Sequence, residues 1–345
     1  MADFQTEGEV CIPINASEQI EYCYEKGWTD GLPVVPATPD LLKDMLEAGG
    51  FRGDEVIADM PSRNVSVTAE KVAINAVMAG CKASYMPVVA TAVKALADPG
   101  FGLHHVASAL SGPTPVIIVN GPIIEEIGLN ATDNLFGPGC RANSTIGRAL
   151  RLVLGNCLRY KPGISDRATY GTPGKHSCCI AENASGNPWE TWHVEQGLQP
   201  GDSTVTLIAC SSMMQLWNYG YGGVEGLLNS VGDALSFIGS IAIFGQTPGA
   251  VIFGGDHTEW LKEGGWTKNQ IREVVVENTK RSIAALKRAG RLEETEIKPG
   301  DEETWHYAMD EPSELMILTA GSETGHSPAY YRVLDRRKQP DVARP

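Results

Sequence analysis

Two short apolar runs, Val116-Ile117-Ile118-Val119 and Ala250-Val251-Ile252-Phe253, constrain the fold more than any other feature of the chain. Both are rich in β-branched residues and closed by glycine turns, Asn120-Gly121-Pro122 in one case and Gly254-Gly255 in the other. By type and length they are buried strands. The segments downstream of them are alike as well. VIIVNGPIIEEIGLN and VIFGGDHTEWLKEGGWT both read as strand, glycine turn, short acidic helix, glycine and polar cap, and a helical pattern of small and apolar residues precedes each, at 70–97 and 222–243. The expectation is an α/β fold of two similar βα lobes around a central cleft, the pattern left by a diverged duplication, with the site between the lobes.

At 345 residues the chain exceeds the roughly 250–300 at which a single core stops growing, which fits two lobes. Residues 17–26 read as a helix, 27–36 as a turn and extended segment, and Pro39–Glu47 as a helix stopped by Gly49-Gly50. A helical pattern over 65–99 breaks at Pro87, residues 200–210 and 312–320 read as further strands, and the polar tail from Arg332 frays. The resulting division is an N-terminal helix and extended segment (1–60), a first α/β lobe (61–160), a loop-rich active-site segment (161–200), a second lobe (201–330) and a polar tail (331–345).

Net charge of −14 and the lack of any Lys/Arg run of five argue against nucleic acid or an anionic membrane as partner. No stretch approaches the roughly 18 apolar residues of a spanning helix, and MADFQTEGEV has no apolar signal core. Eight cysteines (11, 23, 81, 140, 157, 178, 179, 210) without a CxxC read as reduced thiols of a cytoplasmic protein. The expected partners are a small-molecule substrate and, on the base rate for such enzymes, a second copy of the chain.

Three constellations carry chemistry. In Phe136–Thr145, glycines and an Asn/Ser/Thr cluster open a helix whose free N–H groups suit an oxyanion or carboxylate, with Arg141, Arg148 and Arg151 on one helical face. The alternative is a capped helix whose arginines meet surface acids. In GTPGKHSCCIAEN (171–183) and WETWHVE (189–195), thiol, ammonium, imidazole and carboxylate fall close together, the inventory of a covalent hydrolase. On an extended segment Cys178 and Cys179 point to opposite faces, and either reads equally as a small buried hydrophobe. His193, His257 and His326 with a neighbouring carboxylate would make a divalent-metal site, although no HExxH or HxH spacing supports it. Asp30 is either an Asx-turn former or a site carboxylate.

The stretches GWTDGLPVVPATPD (27–40), EKVAINAVMAGCKASYMPVV (70–89), VIIVNGP (116–122), FGPGCRANSTIGRALRLVLGN (136–156), DRATYGTPGKHSCCIAEN (166–183), PWETWHVEQG (188–197), DSTVT (202–206) and GHS (325–327) resemble an uncharacterised bacterial family associated with UGSC-motif selenoproteins, sometimes labelled thioredoxin-like. The resemblance implies that Asp30, Arg141, Asn143, Thr145, Arg148, Cys179, Glu182, Asn183, His193, Glu195, His257 and His326 are characteristic positions. Cys140 stands where relatives tend to have Asn, and Thr324 where they tend to have Lys.

These readings converge on a hydrolase or lyase of a small polar nitrogen-containing compound with an amide, nitrile, guanidine or amidine C–N bond. Cys179 is the expected nucleophile, Lys175 the cation that lowers its pKa, and Glu182 or His193 the acid/base. Asp30, Gly139, Arg141, Asn143, Thr145 and Asn183 are the expected substrate-binding residues. A variant assigns hydrolysis to water on a divalent metal held by His193, His257 and His326. The alternatives are a thiol redox protein partnering a selenoprotein and a non-catalytic small-ligand-binding protein.

Overall fold

The computed structural model describes residues 15–240, 243, 248–323 and, in backbone only, 329–333. Its strands, in chain order, are β1 (Val56–Met60), β2 (Val65–Thr68), β3 (Thr114–Asn120), β4 (Cys179–Ala181), β5 (Thr204–Gln215), β6 (Gly249–Phe253), β7 (Lys280–Ser282), β8 (Trp305–Tyr307), β9 (Leu315–Thr319) and β10 (Ala329–Val333). β1 with β2 and β7 with β8 are separate antiparallel pairs. The other six form one sheet in the order β4-β3-β5-β10-β6-β9.

Within that sheet the two apolar runs of the sequence occupy matching places. β3 pairs in parallel with the outer strand β4 and antiparallel with the inner strand β5. β6 pairs in parallel with the outer strand β9 and antiparallel with the inner strand β10. β5 and β10 are antiparallel neighbours and join the halves. The same connectivity therefore occurs twice. At the first residue after each parallel ladder the chains even share a hydrogen bond: Glu182 N–H donates to the Val119 carbonyl at 3.1 Å, and Ala320 N–H to the Phe253 carbonyl at 3.1 Å. The glycines after the two runs are obligatory for a common reason. A Cβ on Gly121 would strike the Asp202 carbonyl, and one on Gly255 the Glu323 carbonyl.

The halves do not face each other across a cleft. The sheet curls until its edges meet, where Asn183 N–H donates to the Thr319 carbonyl at 2.7 Å. Alternate residues of the strands fill the enclosed interior: Val116 and Ile118, Ile180, Ile208, Ala250 and Ile252, and Met316 and Leu318 form a single apolar cluster. Outer faces are covered separately. Ile117, Val119, Cys179 and Leu207 pack in one core with the helices Ala69–Ala79, Met86–Ala97 and Arg141–Asn156. Val251, Phe253, Leu315 and Ile317 pack with Gly223–Leu235 and Lys268–Glu277.

Three expectations change. β5, read into a second lobe at 201–330, belongs to the first half. β10 overlaps the tail expected to fray from Arg332, yet takes a central place in the sheet, because β5 and β6 both present open edges to it. Residues 65–68 are extended rather than helical, since Asn64 adopts a left-handed conformation (φ 53°) that reverses the chain into the β1–β2 pair. Among the described residues no helix is long and apolar enough to cross a membrane.

Candidate functional site

At the end of β3 and the start of β5, the barrel interior turns from apolar to polar. Asn120, Glu182, Thr204 and Thr206 continue the alternation of the inward residues Ile118, Ile180 and Ile208, and register places Thr204 opposite Asn120 and Thr206 opposite Ile118. All four are buried; Glu182 is 1 % exposed. The Glu182 carboxylate accepts hydrogen bonds from Asn120 Nδ2, from the Trp192 backbone N–H at 2.8 Å and from Asn187 Nδ2 at 3.1 Å. Burial pushes its pKa up, opposed by the Lys268 charge and by bonds from the amides of Trp192, Asn120 and Thr319.

Near this hydrogen-bonded carboxylate, other polar atoms lack protein partners. Asn120 Oδ1, the hydroxyls of Thr204 and Thr206, and Trp192 Nε1 are buried with no hydrogen bond to protein. Left without any partner each such atom would cost about 1–3 kcal/mol, so each calls for a bound water or a ligand. In the second half the matching positions on its two parallel strands carry no polar side chain. By the shared ladder, Gly254 stands where Asn120 is, Ala320 where Glu182 is, and Gly321 where Asn183 is. The first half therefore carries Asn120, Glu182 and Asn183 where the second has Gly254, Ala320 and Gly321.

Residues 183–191 and the short helix Trp192–Glu195 close this end. Trp189 Nε1 donates to the Trp266 carbonyl at 2.8 Å, and Lys268 Nζ donates to the Glu190 carbonyl at 2.8 Å and to Glu195 at 2.9 Å. Arg272 also pairs with Glu195 and donates to the Leu315 carbonyl at 2.9 Å. Outside this closure lies a groove of about 240 Å³ whose lining includes Trp192, Glu195, Asn269, Arg272 and Pro312.

The expected cysteine site does not assemble. Cys179 is on the outer face of the sheet, 4 % exposed, and burial holds its thiol well above the usual range. Lys175 is not beside it: its ammonium sits 2.8 Å from both oxygens of the buried Asp166, which Arg151 also approaches at 3.6 Å. A buried thiol without a cation stays protonated and is a poor nucleophile.

The helix Arg141–Asn156 does meet β4, but by direct packing rather than across a hollow. Asn143 Nδ2 donates to the carbonyls of Asn130 at 2.9 Å and Cys179 at 3.1 Å, and Gly147 leaves room for Ser177 and Cys178. Thr145 bonds back to the Arg141 carbonyl at 2.8 Å, Arg141 donates to the Gly80 carbonyl at 2.9 Å, and Gly139 is an exposed glycine at φ 130°. Asp30 is spent on a two-pronged pair with Arg148, both bonds 2.8 Å, while Arg148 also holds the Leu32 and Pro33 carbonyls. Asn183 organises its own loop, accepting from Ser185 at 2.8 Å and Gly186 at 3.2 Å.

The histidines are placed separately. His193 is buried with its Nδ1 3.0 Å from the Thr191 hydroxyl, and burial lowers its pKa. His257 has Nε2 3.0 Å from the Asn218 carbonyl and packs edge-on to Trp260. His326 lies outside the described residues. Among the described residues, no group of three or more His, Cys, Asp or Glu is placed to hold a metal.

Of the expected site residues, the barrel end gathers Glu182 and, on its closing segment, Asn183 and His193. Sequence reasoning missed Asn120, Thr204, Thr206, Asn187, Trp192 and Lys268. A signal existed in TVTLIAC (204–210), where Thr204 and Thr206 share the parity of the inward Ile208. No protein-family model matches the chain, and no curated protein or solved structure matches it significantly.

Proposed function

We propose that the chain is an enzyme acting on a C–N bond of a small polar nitrogen-containing compound, by acid–base chemistry at Glu182 rather than by a cysteine nucleophile. One observation carries this reading: a carboxyl inside the barrel, its pKa raised by burial, shares its layer with buried polar atoms that have no hydrogen-bond partner in the protein. A carboxyl whose pKa is raised by burial is a stronger base than an ordinary carboxylate, and its place among unsatisfied buried polar atoms marks it as a candidate acid/base residue. For hydrolysis, Glu182 takes a proton from the attacking water as the new C–O bond forms. It then delivers that proton to the departing nitrogen as the C–N bond breaks. Asn120 and the two threonines orient the substrate.

The thiol-redox reading has no comparable support. Burial pushes Cys81 and Cys178 up to about 12 and Cys157 up to about 11, far from thiolate character. The test is ammonia release from amides, nitriles, amidines and guanidines. Glu182→Gln should lower turnover at least about 100-fold, whereas Cys179→Ala should keep it. Turnover that survives the first change and disappears with the second would overturn the assignment.

A further inference from the structure

From the hydrogen-bonding inventory of the inner layer we infer the substrate class: an uncharged carboxamide or urea-type group, admitted past Trp192. This rests on the reading of the barrel end as the site, but not on what Glu182 does there. The unsatisfied atoms are one obligate acceptor, Asn120 Oδ1, one obligate donor, Trp192 Nε1–H, and two hydroxyls, Thr204 and Thr206, that can act either way. Asn120 is fixed in this sense because its Nδ2 is already committed to Glu182. A carboxamide supplies the complement, N–H groups for Asn120 and a carbonyl oxygen for the indole.

Charge argues the same way. Lys268 and Arg272 both pair with Glu195, and Glu182 meets only neutral amide donors, so among the described residues no cation of the layer awaits an anionic ligand. A carboxylate entering this buried layer would be desolvated without a counter-charge, and an ammonium or guanidinium would offer no acceptor to the Trp192 indole N–H. A neutral amide loses far less. Rejection of a ligand that leaves buried polar groups unpaired, or brings an unpaired charge, is the strong form of discrimination.

Trp192 separates the layer from solvent. It is 3 % exposed, belongs to the interior apolar cluster together with Ile118 and Ile208, and also lines the groove outside. Its backbone N–H is anchored on Glu182 while its indole N–H bonds nothing. Rotation of this one side chain toward the groove opens the layer without breaking a hydrogen bond of the ring.

The experiment is thermal unfolding of the full chain with three molecules of similar shape, propionamide, propionate and propylammonium, each at millimolar concentration. Propionamide alone should raise the melting temperature saturably. Thr204→Val combined with Thr206→Val, which keeps shape and removes two hydroxyls, should weaken that response at least tenfold. Trp192→Phe, a smaller change that removes the donor, should weaken it as well. Equal responses to all three molecules, no response to propionamide, or an undiminished response in both variants would overturn the inference. Melting reads binding alone. A propionamide response in a chain that never releases ammonia would therefore sink the catalytic reading and leave this one standing, and ammonia release without an amide-selective response would do the reverse.

Discussion

Replacing Glu182 in two ways separates its structural role from its chemical one. In Glu182→Ala, Asn120 Nδ2 and the Trp192 N–H lose their acceptor inside the barrel, as does the partly buried Asn187. Two fully buried donors at about 1–3 kcal/mol each give a loss of about 2–6 kcal/mol before any cavity cost. In Glu182→Gln, the amide oxygen still serves Asn120 and Trp192, and only the bond from Asn187 is lost, about 1–3 kcal/mol. That loss is partly offset by removal of a buried charge. The pH dependence carries a sign. Burial raises the carboxyl pKa in the folded state, so the folded chain binds this proton more tightly than the unfolded chain. The wild type should therefore gain stability relative to Glu182→Gln as pH falls from above the raised value toward the ordinary carboxylate range, and the gain should be complete below that range. Urea unfolding of the three proteins at a series of pH values measures all of this. An alanine variant as mild as the glutamine variant, or a wild-type advantage that grows on raising the pH, would refute the reasoning.

Other outcomes follow from the corrected placements. Asp30→Ala should cost about 3–5 kcal/mol by stranding Arg148, moderated by the Leu32 and Pro33 carbonyls that still hold it. Burial raises the Asp30 pKa but the Arg148 pair outweighs it and leaves it low, so this contribution is present above the ordinary carboxylate range and fades as pH falls through the lowered value, which acid unfolding of wild type and variant would show. Cys179 should resist an aromatic disulfide reagent in the native protein and react only on unfolding, and Cys179→Ala should cost about 1 kcal/mol; a fast native thiol that disappears in the variant would contradict this. Lys268→Met removes the cation that opposes the raised pKa of Glu182, so the wild-type-minus-Gln stability difference measured in that background should set in at higher pH; an unmoved curve would show the two groups to be uncoupled.

The strands at 116–119, 204–210, 250–253 and 315–319 were legible in the sequence because continuous apolar β-branched runs leave few alternatives, and the resemblance between the 116–130 and 251–267 stretches carried through to matching places in the sheet. Curling of that sheet was not legible: it depends on pairings between residues far apart, such as Asn183 with Thr319, that leave no local mark. The site went astray for a related reason. Closeness in sequence placed Lys175 with Cys179, whereas Asp166 claims the ammonium and the thiol points into the helical layer. Glu182 stood out in the sequence as a candidate acid/base, but its partners Asn120 and Lys268 come from other strands and helices, and neither residue type is distinctive by itself.

β10 lies C-terminal to every other strand described, and it sits in the middle of the sheet. During synthesis, then, β5 and β6 must wait with open edges until residues 329–333 have emerged, and neither half of the repeat can finish its sheet alone. Assembly is tied to completion of that strand. A chain cut short before residue 329 would leave two facing edges ready to pair with another molecule, which makes the strand a checkpoint against aggregation as much as a structural member.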